Sequence, residues 1–154
     1  MKLHRLEYSQ RLAVPPATAW AFFTDPANLA AITPPWLDFE VTGPLPAAIY
    51  PGLIVSYRIR PLGGAAVTWV TEITQLRAEE FFVDEQRFGP YRFWHHQHHF
   101  RSCTGGVEVA DLVHYRMPFG FAGELCHRLL IERRLRTIFA YRRETLAARF
   151  GELP

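Results

Sequence analysis

Between Leu37 and Arg116 the chain alternates apolar and polar residues repeatedly, and no stretch of helical period intervenes. Parallel neighbours would need crossovers of a dozen or more residues, so this succession predicts an antiparallel sheet. Leu53, Val55, Tyr57 and Ile59 alternate with Ile54, Ser56, Arg58 and Arg60. Val67, Trp69, Thr71 and Ile73 alternate with Thr68, Val70, Glu72 and Thr74. A period of two is the mark of a half-buried strand. Leu37–Thr42, Phe81–Phe88, the histidine-rich stretch ending at Phe100 and Val107–Tyr115 complete the set. Turns are expected at the Pro/Gly-rich connection to Gly52, at Gly63-Gly64, at Glu79-Glu80 and at Gly89-Pro90. For Phe81–Phe88 the inward face stays open: Phe82, Asp84, Gln86 and Phe88 compete with Phe81, Val83, Glu85 and Arg87.

The flanks complete the outline. His4, Leu6, Tyr8, Gln10, Leu12 and Val14 form the inward set of a long first strand, which Pro15-Pro16 ends. Ala17–Thr24 reads as a short helix, and Asp25 can cap a second one over Pro26–Ala31. Thr33-Pro34-Pro35 stops it. From Gly123 to Phe150 the pattern turns helical. Leu125, Leu129, Ile131, Leu135, Ile138, Phe139, Leu146 and Phe150 share one broad side, and such a stripe has to be buried. The sheet is the available partner. Arg128, Arg133, Arg134, Arg136, Arg142 and Arg143 are read as a solvated outer face diluted by Glu132 and Glu144.

The 154 residues, numbered 1–154, suit a single domain. A net charge of +2 gives no composition-based case for nucleic acid. No apolar run approaches the roughly 20 residues that span a bilayer, so stable membrane insertion is not expected. Two cysteines, Cys103 and Cys126, are too few for a disulfide framework and are read as ordinary thiols. The N-terminal residues alternate and form no apolar signal core, so a cytoplasmic location is the expectation.

Four of the seven histidines lie in Trp94-His95-His96-Gln97-His98-His99-Phe100. Trp94, His96, His98 and Phe100 form the credible inward set there, and Val107, Val109, Asp111, Val113 and Tyr115 the inward set of the next strand. A two-residue turn at Thr104-Gly105 would set Phe100 opposite Val109, His98 opposite Asp111, His96 opposite Val113 and Trp94 opposite Tyr115. Opposed residues have Cβ atoms about 5 Å apart, within reach of a His98–Asp111 interaction. That pair could act as an oriented general base or be a satisfied polar pair in a wall. His96 and His98 lie about 6.7 Å apart along one face, while His95 and His99 lie about 13 Å apart on the other. With no CxxC or HExxH pattern, no metal or other cofactor is expected. Tyr57, Trp69, Trp94 and Tyr115 face inward as well. Aromatics mixed with polar groups suit a cavity that orients a mostly apolar ligand.

Strand, two short helices, six strands and a long helix together resemble the helix-grip fold of the SRPBCC superfamily. That superfamily includes START-type lipid-binding domains and the birch-pollen-allergen type. The resemblance rests on Pro15-Pro16 before Ala19-Trp20-Ala21-Phe22-Phe23, Asp25-Pro26-Ala27-Asn28-Leu29 and Ile32-Thr33-Pro34-Pro35. It continues through Trp69 with Glu72-Ile73, Phe82-Val83-Asp84-Glu85-Gln86, Gly89-Pro90 and the histidine stretch, then Asp111, Tyr115, Pro118 and Gly120. More narrowly, the chain is similar to bacterial ligand-binding SRPBCC proteins sometimes labelled cell-division inhibitors. The resemblance implies an α+β fold: a curved antiparallel sheet of about seven strands around a long C-terminal helix, with a cavity between them. It implies a hydrophobic or amphipathic small molecule or lipid as the partner. The expected ligand-binding residues are Tyr57, Trp69, Trp94, His96, His98, Phe100, Asp111 and Tyr115. One alternative is a polyketide cyclase or dehydratase-like enzyme using His98 and Asp111. Another is an interaction module regulating a partner protein.

Overall fold

The structure is a computed structural model that describes residues 2–61 and 64–154. Seven antiparallel strands form one curved sheet in the order β1-β7-β6-β5-β4-β3-β2. They are β1 (His4–Leu12), β2 (Glu40–Val41), β3 (Ile54–Ile59), β4 (Val67–Arg77), β5 (Phe81–Phe88), β6 (Phe93–Cys103) and β7 (Gly106–Arg116). Helix α1 spans Pro16–Thr24, with Pro16 in its first turn, where proline's missing N–H costs nothing. The segment Pro26–Ile32 is a 3-10 helix, and Asp25 caps it by accepting from the Ala27 N–H at 2.9 Å. The strand expected over Leu37–Thr42 shrinks to Glu40–Val41, because Pro35–Leu37 closes a further 3-10 turn and Asp38 is left-handed. Gly63 of the expected Gly63-Gly64 turn lies outside the described residues.

The β6–β7 hairpin has the expected register. Thr104-Gly105 is the two-residue turn, with Gly105 at φ +85°, a conformation glycine adopts without a Cβ clash. Phe100, His98, His96 and Trp94 face Val109, Asp111, Val113 and Tyr115. On β5, Phe82 and Asp84 are the residues that reach the interior cavity. Val83 is buried too, and register shifts beside Thr71 and between Ile73 and Gln75 accompany this break in alternation.

The C-terminal helical segment runs 31 residues, from Gly120 to Phe150. It comprises α2 (Gly120–Cys126), a π-helical turn (His127–Ile131) and α3 (Glu132–Phe150). The π turn corrects the expected stripe. A wider turn rotates the chain by part of a residue, so His127 points inward and is 4% exposed, while Leu125 and Leu129 are 47% and 74% exposed. Beyond it the inward residues of α3 are Leu135, Phe139, Arg142 and Leu146. Their spacing of four, three and four follows one helical face. Arg142 therefore does not belong to the solvated basic face; it is buried. Among the described residues, no helix is long and apolar enough to cross a membrane.

Candidate functional site

A cavity of about 580 Å³ lies between the sheet and α3. That size suits a small-molecule site. Strands β3 and β4 supply Val55, Tyr57, Ile59, Trp69 and Thr71, and α3 supplies Leu135, Ile138 and Phe139. The period of two makes this wall: every second residue of each strand faces the same side. Trp69 sits among aromatic neighbours, with ring centroids 5.2 Å from Trp94, 5.5 Å from Tyr91 and 6.2 Å from Tyr57. The Tyr57 hydroxyl shares a 2.5 Å hydrogen bond with Thr71 Oγ1, and burial pushes its pKa far up, so it stays a neutral phenol.

One part of this largely apolar wall carries a cluster of titratable groups. Asp84 of β5, His96 and His98 of β6, Asp111 of β7 and Arg142 of α3 converge there. Cross-strand neighbours are Asp84–His96 and His98–Asp111. The shortest hydrogen bonds run diagonally, however. His98 Nε2 lies 2.7 Å from Asp84 Oδ1, and His96 Nε2 lies 2.8 Å from Asp111 Oδ1. His98 Nδ1 is in turn 3.0 Å from Asp111 Oδ1. A carboxylate faces each ring nitrogen of His98, so satisfying both requires an imidazolium. The 3.4 Å approach of Arg142 Nη2 to His98 Nδ1 is then no second hydrogen bond, because a guanidinium only donates.

The charges close on this assignment. Burial disfavours the His98 cation, but the hydrogen bonds to Asp111 and Asp84, together with their charges, outweigh it and raise its pKa. Burial lowers the pKa of His96, and the neighbouring His98 lowers it further, so His96 is the neutral ring. Burial alone would push both carboxyls up. Arg142 and the two imidazoles instead hold Asp111 well below the usual carboxylate range, and the same groups lower Asp84. Two anions thus face two cations at a buried place, and such pairing is the condition under which buried charges are tolerated. The two imidazole rings, with pKa values driven apart, have centroids 3.8 Å apart.

Two further polar atoms at the cavity have no partner among the described residues. Trp69 Nε1 and Arg142 Nε are buried without a hydrogen-bond partner, and both residues line the cavity. Phe119, 86% exposed and in a left-handed conformation, borders the cavity as well and marks a side open to solvent.

Of the residues expected to touch a ligand, Tyr57, Trp69, Trp94, His96 and His98 line the cavity. Phe100, Asp111 and Tyr115 stand behind the wall. Phe100 packs edge-on against Trp20 and Phe23. Asp111 holds both histidines from below, and the Tyr115 hydroxyl is 2.7 Å from His127 Nε2. His95 and His99 sit on the outer face, half-buried, bonded to Glu85 and Gln97. Sequence reasoning missed Asp84 and Arg142. Asp84 belonged to a face left open. For Arg142 the signal was present in the Leu135–Phe139–Arg142–Leu146 spacing, which places it on the buried stripe.

A family model described as polyketide cyclase/dehydrase and lipid transport matches residues 12–139. Comparison with curated proteins gives no match. Among solved structures, an aromatase/cyclase, ZhuI from Streptomyces sp. R1128, aligns with a TM-score of 0.74 at 13% identity, over 96% of this chain and 93% of its own. Protein CV1439 from Chromobacterium violaceum aligns with a TM-score of 0.72 at 15% identity, over 96% and 98%. Ara h 8.0201 aligns with a TM-score of 0.63 at 13% identity, over 96% and 99%. At such identities the likeness is one of fold, and the fold is the helix grip of the SRPBCC superfamily.

Proposed function

Because the chain belongs to the polyketide cyclase/dehydrase and lipid-transport family, we propose that its cavity takes up a largely apolar small molecule or lipid whose oxygen acceptors meet the polar end of the wall. One observation carries this reading. The cavity is lined mainly by aromatic and aliphatic side chains, yet Trp69 Nε1 and Arg142 Nε are buried donors with no partner among the described residues. An unsatisfied buried donor costs about 1–3 kcal/mol, which an acceptor on a ligand would recover. A carbonyl or phenolic oxygen suits this place better than a free carboxylate, since Arg142 and His98 are already balanced by Asp84 and Asp111. Within the superfamily, we place the chain with the bacterial ligand-binding type sometimes labelled cell-division inhibitors, acting as one domain in the cytoplasm.

Native mass spectrometry of the purified chain, with an organic extract, tests the proposal. The expected result is a co-purified apolar compound, or a rise in melting temperature with members of a lipid and polyketide panel. A chain that stays empty and shows no shift across the panel contradicts it.

A second reading rests on the divergent pKa values of His96 and His98. A neutral and a protonated imidazole side by side on a cavity wall are a base and an acid. His96 would accept a proton from a carbon next to a carbonyl. The enolate would attack a second carbonyl carbon of the same molecule, whose oxygen takes the Nε2 proton that His98 holds toward Asp84; in the loss of water that follows, His98 recovers a proton from the same carbon and His96 releases its own to the departing hydroxyl. His98→Gln and His96→Gln would each abolish turnover of such a substrate while leaving its binding in place; retained turnover in both excludes the reading.

A further inference from the structure

Away from the cavity cluster, His4 of β1 and Glu124 and His127 of the helical segment bring three ligating atoms within 4.8 Å of one another. We propose that they form a binding site for a divalent transition-metal ion, with Zn²⁺ the best match to two imidazoles and one carboxylate.

The local sequence explains the convergence. Glu124 and His127 are three residues apart, so a helix brings them to one face. His4 pairs with Tyr115 in the β1–β7 ladder, which holds its ring beside that face. The π turn starts at His127; such turns are rare and concentrate at functional positions.

The state of His127 is the decisive observation. The residue is 4% exposed, Nε2 lies 2.7 Å from the Tyr115 hydroxyl, and Nδ1 is buried with no partner among the described residues. With the proton on Nε2 and donated to the Tyr115 oxygen, Nδ1 keeps a free lone pair. That is the tautomer a metal ligand needs, with its other nitrogen held by an outer hydrogen bond. The opposite tautomer would bury an unpaired N–H. His4 Nε2 and Glu124 Oε2 are 2.9 Å apart and share a proton that a cation would displace. Glu124 keeps 25% of its side chain exposed, leaving room for entry and for a water in a fourth position.

The other trio of this kind among the described residues, Asp84, His96 and His98, differs. There both nitrogens of His98 are engaged and Arg142 already supplies the cation. In the trio proposed here the His4 and His127 rings stack with centroids 3.7 Å apart at 23°. An ion lies in the plane of each imidazole that binds it, so loading has to turn the His4 ring out of the stack. Metal entry therefore carries a structural signature. It also ties β1 to α2, whose Gly123 and Cys126 border the cavity.

The test uses the untagged chain, stripped with a chelator and titrated with Zn²⁺ alone by calorimetry, then with Co²⁺ to read its absorption bands. One ion per chain is expected, with large shifts of the His4 and His127 ring resonances. Glu124→Gln should weaken binding about a hundredfold, and Tyr115→Phe about tenfold, the range seen when outer-shell partners are removed. His127→Gln should abolish it; should that variant not fold, the partly exposed Glu124 position carries the test. No stoichiometric binding by the wild type overturns the proposal. So does unchanged affinity in folded Glu124→Gln, or loss of binding only on changing His96.

Discussion

At the cavity wall, His98 has a carboxylate oxygen on each ring nitrogen. Where β1 meets the helical segment, His127 has a hydroxyl on one nitrogen and nothing on the other. Both rings are buried beside a second histidine and a carboxylate. The difference lies in how completely each neighbourhood is furnished. The wall cluster holds two carboxylates and a guanidinium, so it is electrically closed and its geometry is fixed. The other has one partly exposed carboxylate and a free lone pair, so it is open. A closed cluster can orient a ligand or hold a proton; an open one can take a cation.

Arg142 is where the closed cluster is most vulnerable. Replacing it with Met leaves two buried carboxylates facing one imidazolium, and breaking such a set costs about 3–5 kcal/mol. The melting temperature should fall by about 10 °C. Urea unfolding checks this, and a loss below about 1 kcal/mol would mean that water already screens the cluster.

Titration separates the two histidines next, because their pKa values move in opposite directions. The His98 pKa is raised, so its contribution to stability is full below the unfolded histidine pKa and is lost as pH rises through its folded value. His127 is lowered, first by burial and then by His4, so its neutral form favours the fold above the unfolded pKa and that contribution fades as pH falls. A tenfold change in proton affinity between the folded and unfolded chain is worth about 1.4 kcal/mol. Ring resonances followed by NMR should show His98 titrating above about 6.5 and His127 below it. Asp84 and Asp111, both lowered, add stability that is lost only as pH falls below the ordinary carboxylate range.

Trp69→Phe removes one unpartnered donor and keeps the aromatic body. Affinity for an oxygen-bearing ligand should drop about two- to tenfold, the worth of one hydrogen bond, with little loss of stability. Last, His99→Gln on the outer face should change stability by no more than about 0.5 kcal/mol. A larger effect there would blur the distinction between the two sides of β6.

Much of this was legible in the sequence, for definite reasons. The period of two fixes which side chains share a face, and a two-residue turn fixes register, so His98 opposite Asp111 could be read from the pattern alone. Diagonal bonding could not, because it depends on how imidazoles lean across a pleated, twisted sheet. Asp84 escaped because β5 breaks its alternation next to a bulge. Arg142 escaped because a cation was assigned to the polar side by type, although its spacing from Leu135, Phe139 and Leu146 places it inside. The π turn left no readable mark, and with it went the inward turn of His127 and the outward turn of Leu129.

If the cavity receives an apolar molecule, the oxygens of that molecule should reach the unpartnered donors of two cavity-lining residues, Trp69 and Arg142. NMR can follow the Trp69 Nε1–H and Arg142 Nε–H resonances during addition of the panel compound that most raises the melting temperature. Both should move downfield together as the compound saturates one site. Binding at the same affinity with neither resonance moved would contradict the proposed recognition.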